Sequence, residues 1–219
     1  PIRSMKGILR VLRRIPLLIA VPTTAGTGSE VTLASVITDS ESGHKFPIND
    51  FPLIPRVAVL DVENTRSLPP AMTATTGMDA LTHAVEAYIG RSTTASTRAD
   101  ALEAVRLIFE NLENAYEHGN NIQAREHMLT AAFLAGRSFS KSYVGYVHGL
   151  AHSLGGQYGI PHGLANAVIL PYFLEEYGPA CWEKLGKLAK AAGLAQEGDS
   201  AQQSALAFIA WIKEANRTM

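Results

Sequence analysis

The spacing of hydrophobic positions changes near residue 70. Upstream, short apolar runs alternate with turns, the pattern of strands. Ile15 to Val21 is the first run, closed by Pro22, and predicts a buried strand. Thr23-Thr24-Ala25-Gly26-Thr27-Gly28-Ser29-Glu30 follows as a turn of small residues. Val31 to Ile37 predicts a second strand. Asp39-Ser40-Glu41-Ser42-Gly43 is a polar turn, and His44 to Ile48 the return strand of a hairpin, which Pro47 would confine to a sheet edge. Arg56 to Asp61 predicts another short strand, with Val57 and Val59 on one face.

Beyond Pro69-Pro70 the period lengthens to that of a helix, and proline is well placed in a first helical turn. Leu102, Val105, Phe109, Leu112 and Tyr116 recur at helical spacing and form one apolar stripe, ended by Gly119 with Asn120 and Asn121. The stripe reads as core. Further helices are predicted over 122–138, 145–157, 164–177, 179–192 and 200–216, with Gly155, Gly156, Gly159 and Pro161 breaking the run between two of them. The fold class is therefore α+β: a small β-containing part over 1–68, then a mostly helical domain over 69–219.

Composition adds constraints. The 219 residues are 47% hydrophobic, which excludes a disordered chain. Only 18% are charged, below the roughly 25% of an average domain, so part of the surface is expected to be covered by another domain or subunit. Nineteen Lys and Arg against twenty Asp and Glu leave a net charge of −1, with no basic field for nucleic acid. The single Cys181 cannot form an internal disulfide, and a reducing, cytoplasmic compartment fits. No apolar run reaches the ~18 residues that span a membrane. Arg3, Lys6, Arg10, Arg13 and Arg14 ahead of residues 15–21 resemble the start of a signal peptide, but the run is short and bracketed by Pro16 and Pro22, so the strand reading is preferred. The first residue is Pro1, and the chain is expected to begin partway into a longer one.

Four of the seven histidines change the picture. Asp79 and His83 are four residues apart, which on a helix puts carboxylate and imidazole on one face. Their neighbours Met78, Ala80, Leu81, Ala84 and Val85 are apolar, so this face is buried and its polar groups need partners. His148 and His152 repeat the four-residue spacing. A zinc-protease motif would need Glu directly after His148, and Gly149 stands there. His162, in a Pro161-His162-Gly163 turn, could swing back to the same point. An aspartate with two or three histidines suits a divalent transition metal, iron or zinc, or else a set of structural histidines. His118 and His127 read as surface histidines. Gly26-x-Gly28 lacks the third glycine of a dinucleotide fingerprint, Val31 standing there, so it is a plain turn or a holder of phosphate or ribose. Lys45 is a phosphate contact or an exposed lysine.

Together these segments resemble the iron-containing (group III) alcohol dehydrogenase family. The residues that carry the resemblance are Pro22 to Glu30, Gly43-His44-Lys45, Thr76 to Tyr88, and His148 through Gly163, in the family's order. It implies a dehydroquinate synthase-like architecture, with 1–68 the remainder of a nucleotide-binding domain and 69–219 a helical metal-binding catalytic domain. It also implies hydride transfer between an alcohol, or its aldehyde or ketone, and NAD or NADP. Asp79, His83, His148 and His162 would be the ligands of Fe2+, with Zn2+ as the other candidate. His152 would be a non-ligand histidine near nicotinamide and substrate, a candidate proton relay. Thr23, Thr24, Thr27, Thr32 and Lys45 would line the cofactor. The implied partners are a small alcohol or aldehyde and a second copy of the chain, with neither nucleic acid nor membrane.

Three alternatives stand beside this: a zinc glycerol dehydrogenase, a dehydroquinate-synthase-like lyase, and a truncated metal-binding module without catalysis. The Asp79/His83 pair favours the dehydrogenase. The family's glycine-rich phosphate loop and last helices are absent, Val62 stands where proline is usual, and Lys141 where asparagine is common.

Overall fold

The structure, a computed structural model, describes residues 2–42 and 45–219, with Lys45 described in its backbone only. Gly43, His44 and the Lys45 side chain, including the cofactor contact expected of it, lie outside the described residues.

The N-terminal part holds β1 (Gly7–Ile8), β2 (Ile19–Ala20), β3 (Ala34–Thr38), β4 (Lys45–Asn49) and β5 (Val57–Ala58). The predicted hairpin is β3–β4, antiparallel, with Val36 opposite Pro47. Contrary to the expectation for Pro47, β4 is the middle strand of the order β1-β4-β3. Register explains this. The Asp50 N–H donates to the Leu33 carbonyl at 3.0 Å, so the hydrogen-bonded pairs are Leu33 with Asp50, Ser35 with Ile48 and Ile37 with Phe46. Pro47 falls between them, and on its other side β1 begins only opposite Ile48. No ladder bond is asked of the missing N–H.

The run from Ile15 to Val21 is not a buried strand. Only Ile19–Ala20 pairs, in parallel with Val57–Ala58, and Leu17 is 69% exposed. Ile15, Leu18, Ile19, Val21, Val57 and Val59 are exposed as well. Apolarity alone does not bury a strand. A covering layer must exist, and the described residues supply none over this face.

Seven helices follow: α1 (Pro70–Ile89), α2 (Ala95–Glu117), α3 (Ile122–Ser142), α4 (Tyr146–Tyr158), α5 (His162–Tyr177), α6 (Trp182–Ala191) and α7 (Ala201–Thr218). Their starts obey local chemistry. Pro70 opens α1; Thr94 and Thr97 form a capping box on α2; Asn121 caps α3 through the Ala124 N–H; Ser200 and Gln203 form a second capping box on α7. Helix α1 packs against α2, α3, α5 and α6, and residues 77–88 are buried without interruption. A helix buried on every side is a core helix, and α1 is the axis of this domain.

The buried face of α2 is Ala101, Ala104, Val105, Ile108, Leu112 and Ala115. Val105 and Leu112 of the predicted stripe belong to it, while Leu102, Phe109 and Tyr116 flank it half-buried. Phe109 finds its partner on α7, stacking on Trp211 with ring centroids 3.9 Å apart. Between α2 and α3, His127 is half-buried with Nδ1 2.9 Å from Asn111 Oδ1, so it is an interhelical polar contact and not the surface residue expected. His118 is exposed, as expected. The buried guanidinium of Arg125 donates to the carbonyls of Gly119 and Leu68, tying the loop before α1 to the α2–α3 turn.

Candidate metal centre

Helix α1 presents Asp79, His83 and Glu86 along one face, at four- and three-residue steps. They are 2%, 5% and 4% exposed. Helix α4 adds His148 and His152, and α5 adds His162 and Asn166. His162 is not in a turn: Pro161 caps α5 and His162 begins it. Gly163 lets that helix start close onto α1, since a Cβ there would lie 3.0 Å from the Thr75 carbonyl carbon and 3.5 Å from Asp79 Cβ.

Donor atoms of Asp79, His83, His148 and His162 all lie within 4.8 Å of one another, a set that could hold a metal ion. The Nε2 atoms of His148 and His162 stand 3.8 and 3.7 Å from Asp79 Oδ1. Asn166 Nδ2 donates to the same oxygen at 2.7 Å and orients it. The His83 ring lies between Phe139 and His148, at centroid distances of 4.2 and 4.5 Å. Behind His148, the Glu86 carboxylate accepts from Nδ1 at 2.6 Å and from the backbone N–H groups of Gly145 and Val147, each at 2.8 Å.

The electrostatics follow from this packing. Burial pushes the Asp79 carboxyl up, but the imidazoles of His83, His162 and His148 and the Asn166 amide outweigh it and hold the group below the ordinary carboxylate range. Burial likewise raises Glu86, and the His148 and backbone donors more than reverse it. Burial drives His83 down to about 3, so its ring is neutral. Two ring nitrogens, His83 Nδ1 and His148 Nε2, are buried with no hydrogen-bond partner. A buried polar atom left unpaired costs about 1–3 kcal/mol, and His148 Nε2, unpaired 3.8 Å from the Asp79 carboxylate, fits a bound cation.

His152 is outside the donor set. It is exposed, its ring edge-on to His162 at 4.9 Å and 6.4 Å from His148. The threonine loop lies on the neighbouring stretch of α1. A Cβ on Gly26 would sit 2.6 Å from the Cβ of Thr76, and one on Gly28 2.6 Å from the Cα of Gly136 in α3. Both glycines therefore serve close packing, and Gly28 also adopts a left-handed conformation at φ 58°. Thr23 and Thr27 are exposed on the loop and Thr24 is half-buried. Thr32 is buried, its hydroxyl directed at the Ser29 carbonyl at 3.4 Å.

Three residues of the centre have no assigned role in the sequence reading: Glu86, Asn166 and Phe139. Two carried a signal. Glu86 continues the step of Asp79 and His83 along α1, and Asn166 follows His162 by four residues, the spacing that singled out the other pairs. Phe139 carried none, because stacking between α3 and α1 is a tertiary fact.

A model of the Fe-containing alcohol dehydrogenase family, C-terminal, matches residues 73–219, and one of iron-containing alcohol dehydrogenase matches residues 4–62. The 1,3-propanediol dehydrogenase of Klebsiella pneumoniae is 45% identical over 206 residues, covering 94% of this chain and 53% of the relative. The NADPH-dependent butanol dehydrogenase of Clostridium saccharobutylicum is 41% identical over 208 residues, covering 95% and 53%. Among solved structures, an alcohol dehydrogenase from Oenococcus oeni superposes with a TM-score of 0.95 at 39% identity, over 99% of this chain and 57% of that one. A sulfoacetaldehyde reductase from Bifidobacterium kashiwanohense, in complex with NAD+, gives 0.83 at 34% identity, over 98% and 56%. The chain spans about half the length of the curated relatives it matches. These relatives are named as dehydrogenases of propanediol and butanol.

Proposed function

Because the chain belongs to the iron-containing alcohol dehydrogenase family, we propose that Asp79, His83, His148 and His162 hold a divalent metal, Fe2+ before Zn2+, in an enzyme that moves hydride between a small primary or secondary alcohol and NAD or NADP. Bound in this set, the ion supplies Lewis acidity toward the alcohol or carbonyl oxygen. The observation that carries the reading is the partnerless Nε2 of His148 facing Asp79 Oδ1 across 3.8 Å. A buried acceptor opposite an ionised carboxylate is unfavourable unless a cation sits between them.

The other roles belong to side chains around this point. Asn166 keeps one Asp79 oxygen aimed at the histidines. Phe139 and the rest of the apolar packing exclude water from His83. His152, exposed and edge-on to His162, passes a proton between the substrate side and solvent. Thr23, Thr24, Thr27, Thr32 and Lys45 line the nicotinamide cofactor. Relatives named for NADPH and solved with NAD+ both occur, so the dinucleotide is one of the two. Residues 1–68 are the remainder of a nucleotide-binding domain and 69–219 the metal-binding domain, a division supported by family matches that end at 62 and begin at 73. The lone, half-buried Cys181 supports a cytoplasmic protein, and the exposed apolar face of β2 and β5 supports a homodimer.

The test is metal analysis of the purified chain after chelation and reloading with Fe2+ or Zn2+, with alcohol-dependent reduction of NAD+ and NADP+ as second readout. One equivalent of metal in the wild type and none in Asp79→Asn is expected. A wild type that takes up no metal on reloading overturns the reading.

A further inference from the structure

Glu86 lies outside the donor set but makes three hydrogen bonds, one of them to a residue of that set. Its carboxylate reaches from α1 to the start of α4, where three N–H groups converge on two oxygens. The Val147 N–H donates to Oε1, and the Gly145 N–H and His148 Nδ1 both meet Oε2. Two of those donors are backbone amides at the head of α4, so the acid acts as a helix cap supplied by a different helix. The third is the ring of a residue in the donor set. The backbone amides can only donate, which makes the carboxylate the acceptor throughout, and His148 Nδ1 therefore carries its proton toward Glu86. In the neutral ring this leaves the lone pair on Nε2, the atom that is buried without a partner 3.8 Å from Asp79.

A second observation points the same way. Gly145, the residue before α4, has an ordinary φ of −117°, so its backbone makes no demand for glycine. What requires glycine is space: a Cβ would stand 2.6 Å from Glu86 Oε1 and 3.2 Å from its Cδ. The missing side chain is a socket for the carboxylate.

We infer that Glu86 is a positioning residue for the metal: with Gly145 as its socket, it fixes His148 in the Nδ1–H tautomer and aims Nε2 at the donor set before any ion arrives. The inference rests on the reading of His148 as a ligand. It assigns Glu86 no contact with substrate or cofactor; the residue acts through His148.

The experiment uses the full chain, stripped of metal and titrated with Zn2+ against a competing chelator, with 15N-labelled histidine to read ring tautomers in the metal-free state. His148→Ala identifies the His148 signals and sets the affinity of a three-donor site. In the wild type, His148 should show the Nδ1–H form alone. In Glu86→Gln, an amide offers one acceptor and one donor to three N–H groups, so one loses its partner however the amide turns, and the charge-assisted bond is lost. Zn2+ affinity should then fall about 10–100-fold, as when an outer partner of a metal-bound histidine is removed. Gly145→Ala, which leaves the acid in place but closes its socket, should weaken Zn2+ in the same direction, and stands in should Glu86→Gln fail to fold. Wild-type Zn2+ affinity in the folded variant, or an Nε2–H ring in the metal-free wild type, overturns the inference while leaving the ligand set intact. Unchanged affinity in His148→Ala overturns the ligand reading of His148 itself.

Discussion

Gly163→Ala should loosen the metal centre without touching a donor atom. Gly163 follows His162 in the first turn of α5 and lies over α1. The added Cβ would sit 3.0 Å from the Thr75 carbonyl carbon, and closer still to its oxygen, where ordinary contact begins near 3.4 Å. The obstacle is helix backbone, which cannot swing aside as a side-chain tip can. The start of α5 must therefore retreat, by roughly 0.5–1 Å, and His162 retreats with it from an Asp79 oxygen already 3.7 Å away. Forcing α5 back onto α1 to close the donor set restores the overpacking strain, about 1–3 kcal/mol. At tenfold per 1.4 kcal/mol, metal affinity should drop roughly 5- to 140-fold. Chelator competition with Zn2+ measures the drop, and far-UV circular dichroism of the metal-free protein checks the fold. A Gly163→Ala protein with native helicity and wild-type affinity would refute the claim that α5 is held at this distance by the absence of a side chain.

Other outcomes follow from the same geometry. Zn2+ at about 100 times its dissociation constant should add ~2.7 kcal/mol to the unfolding free energy, visible as a higher Tm that EDTA reverses; an unchanged Tm would mean that the ion does not bind the folded state preferentially. His152→Ala should slow alcohol-dependent turnover while keeping its metal through gel filtration, and metal loss from that variant would make His152 a ligand. Gly28→Ala puts a Cβ 2.6 Å from the Gly136 Cα and 3.0 Å from the Ala132 carbonyl at a positive φ. It should cost about 2–4 kcal/mol and lower Tm by roughly 4–16 °C, and a shift under a degree would show that the loop does not seat on α3 as described.

The helical half was readable from sequence because its signals are local. Asp79 with His83, and His148 with His152, are four apart on elements whose start or breaker stands in the text of the chain, Pro70 for α1 and Gly159 for α4. What could not be read was how helices turn toward one another. The large residues of the α2 stripe mark only part of its buried face, because Ala101, Ala104 and Ala115 are buried about as fully as Val105 and Leu112. His162 looked like part of a turn, although proline before it is equally a helix start. In the N-terminal part the strand pattern is legible in the sequence and the burial is not. Ile15 to Val21 has the composition of a core strand, but burial depends on a second layer, and no property of the run itself reports whether that layer is present. Pro47 does not mark an edge because β1, only two residues long, begins past it, opposite Ile48.

The uninterrupted burial of residues 77–88 means that α1 is at once the core of the domain and the scaffold of its centre. Each of those positions answers either to packing or to the donor set. A systematic substitution map of the chain should therefore lose its helical rhythm along α1. On α2, tolerance should rise and fall every three to four residues as solvent and core alternate. Over Gly77 to Tyr88 every position should be intolerant, a flat block twelve residues wide. Variation in chemistry must then enter from the half-exposed ends of α4 and α5, which can change without disturbing the axis on which they are mounted.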